Sequence, residues 1–293
     1  VVGYANTAVG FYSLLNNTTN FNSAFGYKAL QSNTTGAFNS AFGSQALLSN
    51  TIGSRNNAFG LNALRNTTIG SNNNAFGYYA MRENTTGANN TAVGHKSLQN
   101  NTIGYNNSAF GYKSLFANTT GTYNTAIGWG TLQTNTTGSF NSAVGFGALL
   151  SNVTGNNNTA FGYFALFYNI ASNNSAFGIN SLRNNTTGTN NTAIGRDSLI
   201  TNTIGIDNTA VGLNSMYYNT TGSYNTAVGR SSLVSNTIGT ANSGFGYKAL
   251  FSNTTGGSNT AIGYQSLQNN TIGTLNVAVG ANALFSNTTG SAN

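Results

Sequence analysis

The most regular reactive pattern in the chain is the sequon Asn-x-Ser/Thr, the acceptor for N-linked glycans. In six further copies its third residue is Ile, as at Ile52 and Ile103, which removes the acceptor and keeps the β-branched shape. The third residue therefore keeps a β-branched side chain even where the glycosylation acceptor is lost. The sequons that recur in register are also consistent with a glycan-coated filament. The candidate glycosylation sites are Asn33, Asn84, Asn118, Asn135, Asn185, Asn219, Asn253 and Asn287.

A column of Thr residues follows these Asn residues, as at Thr34, Thr51 and Thr85. Thr ranks about 4.8 Å apart can order water, which makes an ice-binding surface one functional hypothesis. Adjacent Thr residues in an extended segment point to opposite faces, so two ranks would not share one flat side. A structural Thr stack is the favoured interpretation.

Other chemical groups are too few for catalysis or for a metal site. The acids are Glu83, Asp197 and Asp207, His95 is the single His, and Cys is absent. General acid–base catalysis needs a positioned pair of titratable groups, and calcium-binding β-roll repeats need a recurring Asp. We therefore predict no enzymatic activity, no metal site and no cofactor.

Charged residues make up 4% of the chain, and ten Lys and Arg against three acids give a net charge of +7. The cations occupy several different positions of the repeat defined below, which predicts a thinly charged, solvated outer face and no nucleic-acid partner. Tyr27, Tyr78 and Tyr112 each follow the Gly that ends the strand segment of the repeat. Such rings can bind sugars, but we expect them to stack on each other.

All these residues belong to one repeat of about 17 residues, Asn-[Thr/Ser/Asn]-Ala-[Val/Ile/Phe]-Gly-x-x-[Ala/Ser]-Leu-x-x-Asn-Thr-[Thr/Ile]-Gly-x-x, here numbered positions 1 to 17. Seventeen copies begin at Asn6, Asn22, Asn39 and so on to Asn276. A constant period predicts a linear array in which each copy packs on its neighbours. We interpret residues 1–293 as a single continuous array cut from a longer one.

Positions 1 to 5 have strand composition, and short strands stacked in register build a parallel sheet. The predicted fold is therefore all-β: a left-handed parallel β-solenoid of about seventeen 17-residue rungs. Positions 12 to 15 fit a second short strand or a turn, and positions 5 to 9 fit one helical turn or a third strand. Two repeats are one residue shorter, with Asn20 and Ser172 in place of the loop Gly.

The near-invariant residues predict the packing of each rung. Inward Asn residues are expected to form a hydrogen-bonded ladder, Gly to form a corner, and Leu to stack. We expect Val/Ile/Phe and Leu to fill the core while the Ala face receives another chain, and the reverse assignment stays open. Because both faces of the strand carry apolar residues that can be buried, we predict that several chains associate laterally, most simply as a trimer. The predicted structural residues are Asn39, Asn56, Asn73, Asn90, Gly43, Gly60, Leu47 and Leu64.

Asn-Thr-Ala-Val-Gly at residues 6–10 resembles the short Asn-Ser-x-Ala-Ile-Gly-type repeats of trimeric autotransporter adhesin heads. The whole repeat, as in residues 124–138, is similar to repeats of bacterial and phage-type tail-fibre proteins. The resemblance covers the full array and implies a parallel β-roll, usually trimeric, that extends a stalk or binds surfaces. The repeat here is longer than the usual adhesin-head repeat, and its strand motif is one residue shorter.

The predicted function is a structural segment of an extracellular or cell-surface fibre, or of a virion tail fibre. Its main predicted partner is itself, with glycans or cell surfaces as further partners. The alternatives are an adhesin or tail-fibre shaft that binds carbohydrate weakly and, third, an ice-binding β-solenoid. No run of 18 apolar residues exists in the sequence, which predicts no membrane-spanning segment.

Overall fold

The computed structural model describes residues 3–293 and confirms an all-β chain of parallel strands wound into solenoid rungs of about 17 residues. Each repeat contributes one strand of three residues, formed by positions 2 to 4. The strands are β1 (Thr7–Val9), β2 (Ser23–Phe25), β3 (Ser40–Phe42), β4 (Asn57–Phe59), β5 (Asn74–Phe76), β6 (Thr91–Val93), β7 (Ser108–Phe110), β8 (Thr125–Ile127), β9 (Ser142–Val144), β10 (Thr159–Phe161), β11 (Ser175–Phe177), β12 (Thr192–Ile194), β13 (Thr209–Val211), β14 (Thr226–Val228), β15 (Ser243–Phe245), β16 (Thr260–Ile262) and β17 (Val277–Val279).

The chain divides into two compact units, an N-terminal unit that ends at Val144 and a C-terminal unit that begins at Gly145. Within each unit every strand pairs in parallel with the next, and equal repeat positions face each other, as Ala24 faces Ala41. The part of the chain that the structure describes contains no helix that could cross a membrane.

The rest of each rung consists of turns rather than a second strand or a helical turn. In the second rung Ala29 N donates to Gly26 O at 3.3 Å and Asn33 N donates to Leu30 O at 3.2 Å, which closes two successive four-residue turns. Further backbone bonds join neighbouring rungs at these turns, as from Leu30 N to Ala46 O at 3.0 Å. The rungs are therefore connected along most of their circumference.

The predicted core assignment of Val, Ile and Phe is wrong, and the reverse assignment is correct. Ala41 and Ala58 at position 3 are fully buried, whereas Phe76 and Phe110 at position 4 are 40% and 38% exposed. The Leu prediction is confirmed, since Leu47 and its equivalents in the interior rungs are fully buried. A 17-residue coil that also holds two Asn side chains leaves room only for Ala on the inner face of its strand.

Two backbone corners fix the path of the rung. Gly43 has φ 141°, and a Cβ there would lie 2.5 Å from the carbonyl oxygen of Gly60 in the next rung. Leu47 and Leu64 adopt φ of 50° and 51°, a left-handed conformation that costs a non-Gly residue about 1–2 kcal/mol. Burying a Leu side chain gains about 1.5–3 kcal/mol, which explains why position 9 keeps Leu instead of Gly.

The two short repeats lose their residue one place earlier than the sequence indicates. The carbonyl oxygen that Gly supplies at position 15 of other repeats comes from Thr19 in the first repeat and Ala171 in the tenth, where it accepts Asn side-chain bonds. Asn20 and Ser172 therefore occupy position 16. The deletion still falls in a loop and leaves the strand intact.

Candidate functional site

An asparagine ladder runs along position 1, as predicted. Asn73 Nδ2 donates to Asn56 Oδ1 at 3.1 Å, and Asn90 Nδ2 donates to Asn73 Oδ1 at 3.2 Å. Each backbone N–H also donates to the preceding Asn, as from Asn73 N to Asn56 Oδ1 at 3.0 Å. The predicted ladder residues Asn39, Asn56, Asn73 and Asn90 are fully buried, so these bonds satisfy polar groups that have no access to water.

A second asparagine ladder runs along position 12. Asn50 Nδ2 donates to Asn33 Oδ1 at 2.7 Å in the preceding rung. The two ladders meet at the position 15 carbonyl, because Gly53 O accepts from Asn39 at 2.8 Å and from Asn50 at 2.9 Å. A Cβ on Gly53 would collide with Gly70 O and Asn50 Oδ1, so no side chain fits there. This explains the Gly that follows each Thr-Thr or Thr-Ile pair.

The second ladder consists of the predicted glycosylation sites. Asn118 Nδ2 uses both of its hydrogens, one to Asn101 Oδ1 at 2.7 Å and one to Gly121 O at 3.0 Å. Asn287, in the last rung, is half-buried with equivalent bonds. The folded rungs leave no accessible nitrogen for a glycan at the buried sites, so their geometry favours the structural interpretation. The fully buried sites are Asn33, Asn84, Asn118, Asn135, Asn185, Asn219 and Asn253.

The second ladder is interrupted in the fourth rung. Thr67 replaces Asn there and is fully buried, as is Asn50 in the rung before it. Asn50 Oδ1 and Thr67 Oγ1 both lack a hydrogen-bond partner. The ladder resumes at Asn84, whose Oδ1 accepts from Asn101 Nδ2 at 2.7 Å.

The Thr side chains at position 13 form hydrogen bonds between neighbouring rungs. Thr34 Oγ1 donates to Thr51 O at 2.9 Å, and Thr85 Oγ1 donates to Thr102 O at 3.0 Å. These hydroxyl hydrogens are therefore directed along the stack and not toward ordered water. Position 14 points outward, where Ile52 is 54% exposed.

Aromatic side chains stack along position 6, as expected. In the N-terminal unit Tyr78, His95, Tyr112 and Trp129 form a continuous column, with ring centroids 5.1, 5.3 and 5.8 Å apart and interplanar angles of 6°, 5° and 11°. The ring faces are turned toward each other, so the ring edges point to solvent. Such a column cannot offer its faces to a sugar except at its ends.

Nine of the ten cations lie at positions 6, 7 and 10 of their repeats. Turn geometry brings positions 6, 7 and 10 together: Lys113 Nζ lies 5.4 Å from the ring centroid of Tyr112 and 5.5 Å from that of Phe116. The Arg82 guanidinium lies 5.1 Å from the Tyr79 ring. The nine cations at these positions are Lys28, Arg65, Arg82, Lys96, Lys113, Arg183, Arg196, Arg230 and Lys248.

Two neighbouring phenols show the electrostatics of this surface. A hydrogen-bonding interaction between the two side chains raises the pKa of Tyr78. The same interaction lowers the pKa of Tyr79, and the positive charge of Arg82 acts in the same direction. A Tyr79 phenolate is stabilised when the Tyr78 hydroxyl donates to it.

The few acids lie in separate contacts. Glu83 pairs with Arg82 at 3.2 Å, and Asp197 pairs with Arg196 at 3.1 Å. Asp207 Oδ1 accepts from Asn190 Nδ2 at 3.0 Å. Among residues 3–293 there is no group of three His, Cys, Asp or Glu side chains that could hold a metal ion, and neither unit contains a pocket.

Comparison of the chain with known protein families gives no match, and comparison with curated proteins finds no similar sequence.

Proposed function

We propose that this chain is a structural segment of an extracellular or cell-surface fibre, in which stacked rungs associate laterally with other copies of the chain. One observation carries the structural role: the side chains of the near-invariant Asn and Leu residues lie inside the rung. Asn39 and Asn50 bond to neighbouring rungs, Leu47 is fully buried, and Gly43 packs against Gly60. The repeat therefore preserves the contacts that join one rung to the next.

Lateral association is supported by the outward face of the strands. Position 4 is Val, Ile or Phe in all seventeen repeats. In the N-terminal unit the rings of Phe25, Phe42, Phe59 and Phe76 stack with centroids 4.7, 4.7 and 4.9 Å apart. The result is a continuous apolar column, half-open to water, where a soluble monomer normally carries polar residues.

The column is large enough to matter energetically. Complete burial of a Val or Phe side chain gains about 1.5–3 kcal/mol. Since Phe76 is 40% exposed, covering its side chain gains roughly 0.6–1.2 kcal/mol by the same scale. Association costs about 4–15 kcal/mol, so a stable assembly requires many rungs in register.

A second copy of the chain is the partner that fits this column. It offers one apolar side chain per rung at the same axial spacing, so contacts repeat without a mismatch. We propose a trimer, because three coils can enclose three such columns around one axis. This arrangement agrees with the resemblance to trimeric adhesin heads.

Sedimentation equilibrium of the 293-residue chain tests this proposal. We expect an oligomer that dissociates when Phe42, Phe59 and Phe76 are all replaced by Asn. The matched control replaces Ile52, Ile69 and Ile103 by Thr, since these apolar residues are even more exposed, at 54%, 49% and 53%, but lie at position 14. A monomeric wild-type chain, or equal dissociation of both variants, would refute association through position 4.

A further inference from the structure

We propose that the N-terminal unit carries a binding surface for a linear, negatively charged polysaccharide. The surface, here called the basic strip, consists of Arg65, Arg82, Lys96 and Lys113 together with the stacked rings of Tyr78, His95, Tyr112 and Trp129. It lies on positions 6, 7 and 10 of the fourth to eighth repeats. It goes beyond the proposed structural role, because it includes no residue of the position 4 column.

The cations of the strip form a linear array. Arg65, Arg82, Lys96 and Lys113 come from four consecutive repeats, so their backbones follow each other at about 4.8 Å. Glu83 is the single acid in these repeats and offsets one of the four charges through its ion pair with Arg82. Three uncompensated cations therefore lie along about 15 Å of the rung stack.

Side-chain contacts hold three of these cations in place. Lys113 Nζ lies 5.4 and 5.5 Å from the ring centroids of Tyr112 and Phe116, and the Arg82 guanidinium lies 5.1 Å from that of Tyr79. Arg65 Nε donates to Gln45 Oε1 at 2.9 Å. Because the side chains are half-buried along their stems, less conformational entropy remains to be lost when an anion binds.

The aromatic column adds to the attraction for anions. An aromatic ring has a negative face and a positive edge, and in this column the faces cover each other while the edges are exposed. Tyr112 and Trp129 are 39% and 44% exposed. Their phenol and indole groups are hydrogen-bond donors, and these suit carboxylate or sulfate oxygens.

The same stacking disfavours a single-stranded nucleic acid. Nucleic-acid sites gain about 1–3 kcal/mol for each base that stacks on an aromatic face. Here successive centroids are 5.1–5.8 Å apart and nearly parallel, so no base fits between them. A sulfated or carboxylated polysaccharide needs only the row of cations and the donors at the ring edges.

Heparin is the probe for this proposal, and Trp129 is the reporter, because it is the only Trp in the chain. We expect heparin to change Trp129 fluorescence and to bind less tightly as salt rises. Replacing Lys96 and Lys113 by Gln should weaken heparin binding about 4- to 25-fold, from a factor of about 2–5 for each charge. Replacing both by Arg should preserve it.

The matched control replaces Arg183 and Arg230, which lie in the C-terminal unit, by Gln. It removes the same charge and should change the heparin affinity by less than about twofold, because charges outside the contact are screened. Equal weakening in both double variants would show a net-charge effect and overturn the proposal. Binding of poly(dT) as tight as that of heparin, or equal binding of neutral dextran, would also overturn it.

Discussion

Restoring the interrupted asparagine ladder by Thr67→Asn should stabilise the N-terminal unit. The new Nδ2 can donate to Asn50 Oδ1 and to Gly70 O, as Asn118 Nδ2 does to Asn101 Oδ1 and Gly121 O. The new Oδ1 can accept from Asn84 Nδ2, which at present donates to Gly87 O. The substitution thus completes a continuous ladder with the geometry of the intact rungs.

The expected gain follows from the groups that the gap leaves unpaired. Asn50 Oδ1 and Thr67 Oγ1 are buried without a partner, and each such group costs about 1–3 kcal/mol. Thr67→Asn removes both unpaired groups, and this gain is partly offset by the entropy cost of ordering the new amide side chain. The unfolding free energy of the unit should therefore rise by about 2 kcal/mol. The reciprocal change Asn101→Thr creates the same gap in an intact stretch and should lower it by a similar amount.

Urea unfolding followed by Trp129 fluorescence measures both effects, because Trp129 lies in the N-terminal unit. Ile69→Thr is the control: it exchanges two residues that already alternate at an exposed position, and it should change the free energy by less than about 0.5 kcal/mol. A neutral or destabilising Thr67→Asn, in a variant that remains folded, would refute the reasoning. A neutral Asn101→Thr would do the same.

Three further predictions concern the corners and the phenols. Gly60→Ala should cost more than about 3 kcal/mol in urea unfolding, because its φ is 134° and a Cβ would lie 2.5 Å from Gly77 O; a loss below 1 kcal/mol would contradict the corner geometry. Gln265→Gly should gain about 0.5–1 kcal/mol, because Gln265 has φ 56° at a position that already holds Gly130 and Gly147; destabilisation would contradict it. In a spectroscopic pH titration at 295 nm, Tyr79→Phe should remove the phenol of the pair that ionises at the lower pH, since Tyr79 has a lowered pKa and Tyr78 a raised one; loss of the same phenol in Tyr78→Phe would contradict this assignment.

The repeat sequence predicts the stacked rungs, but it does not predict which face of the strand lies in the core. Invariant Asn39 and Leu47 are identified as inward because only stacking explains their constancy. Alternation separates Ala41 from Phe42 without showing which side is enclosed. The answer depends on the volume of the rung, which the second asparagine ladder reduces.

The basic strip was not predicted because its residues are not periodic in sequence. Arg82 occupies position 10 and Lys96 position 7 of successive repeats. They share a surface only because residues with positive φ at positions 7 and 9, such as Tyr79 and Met81 with φ of 56° and 48°, fold the chain back on itself. Left-handed Leu and Met residues are unusual, so position 9 gives no sequence signal for this turn, whereas Gly130 and Gly147 at position 7 give a weak one.

The cross-section of the assembled particle, determined by electron cryomicroscopy of the full chain, tests the central claim most directly. We expect three coils around one axis, with Phe42, Phe59 and the other position 4 side chains buried between neighbouring chains. A single coil whose position 4 column faces solvent would contradict the proposed fibre segment.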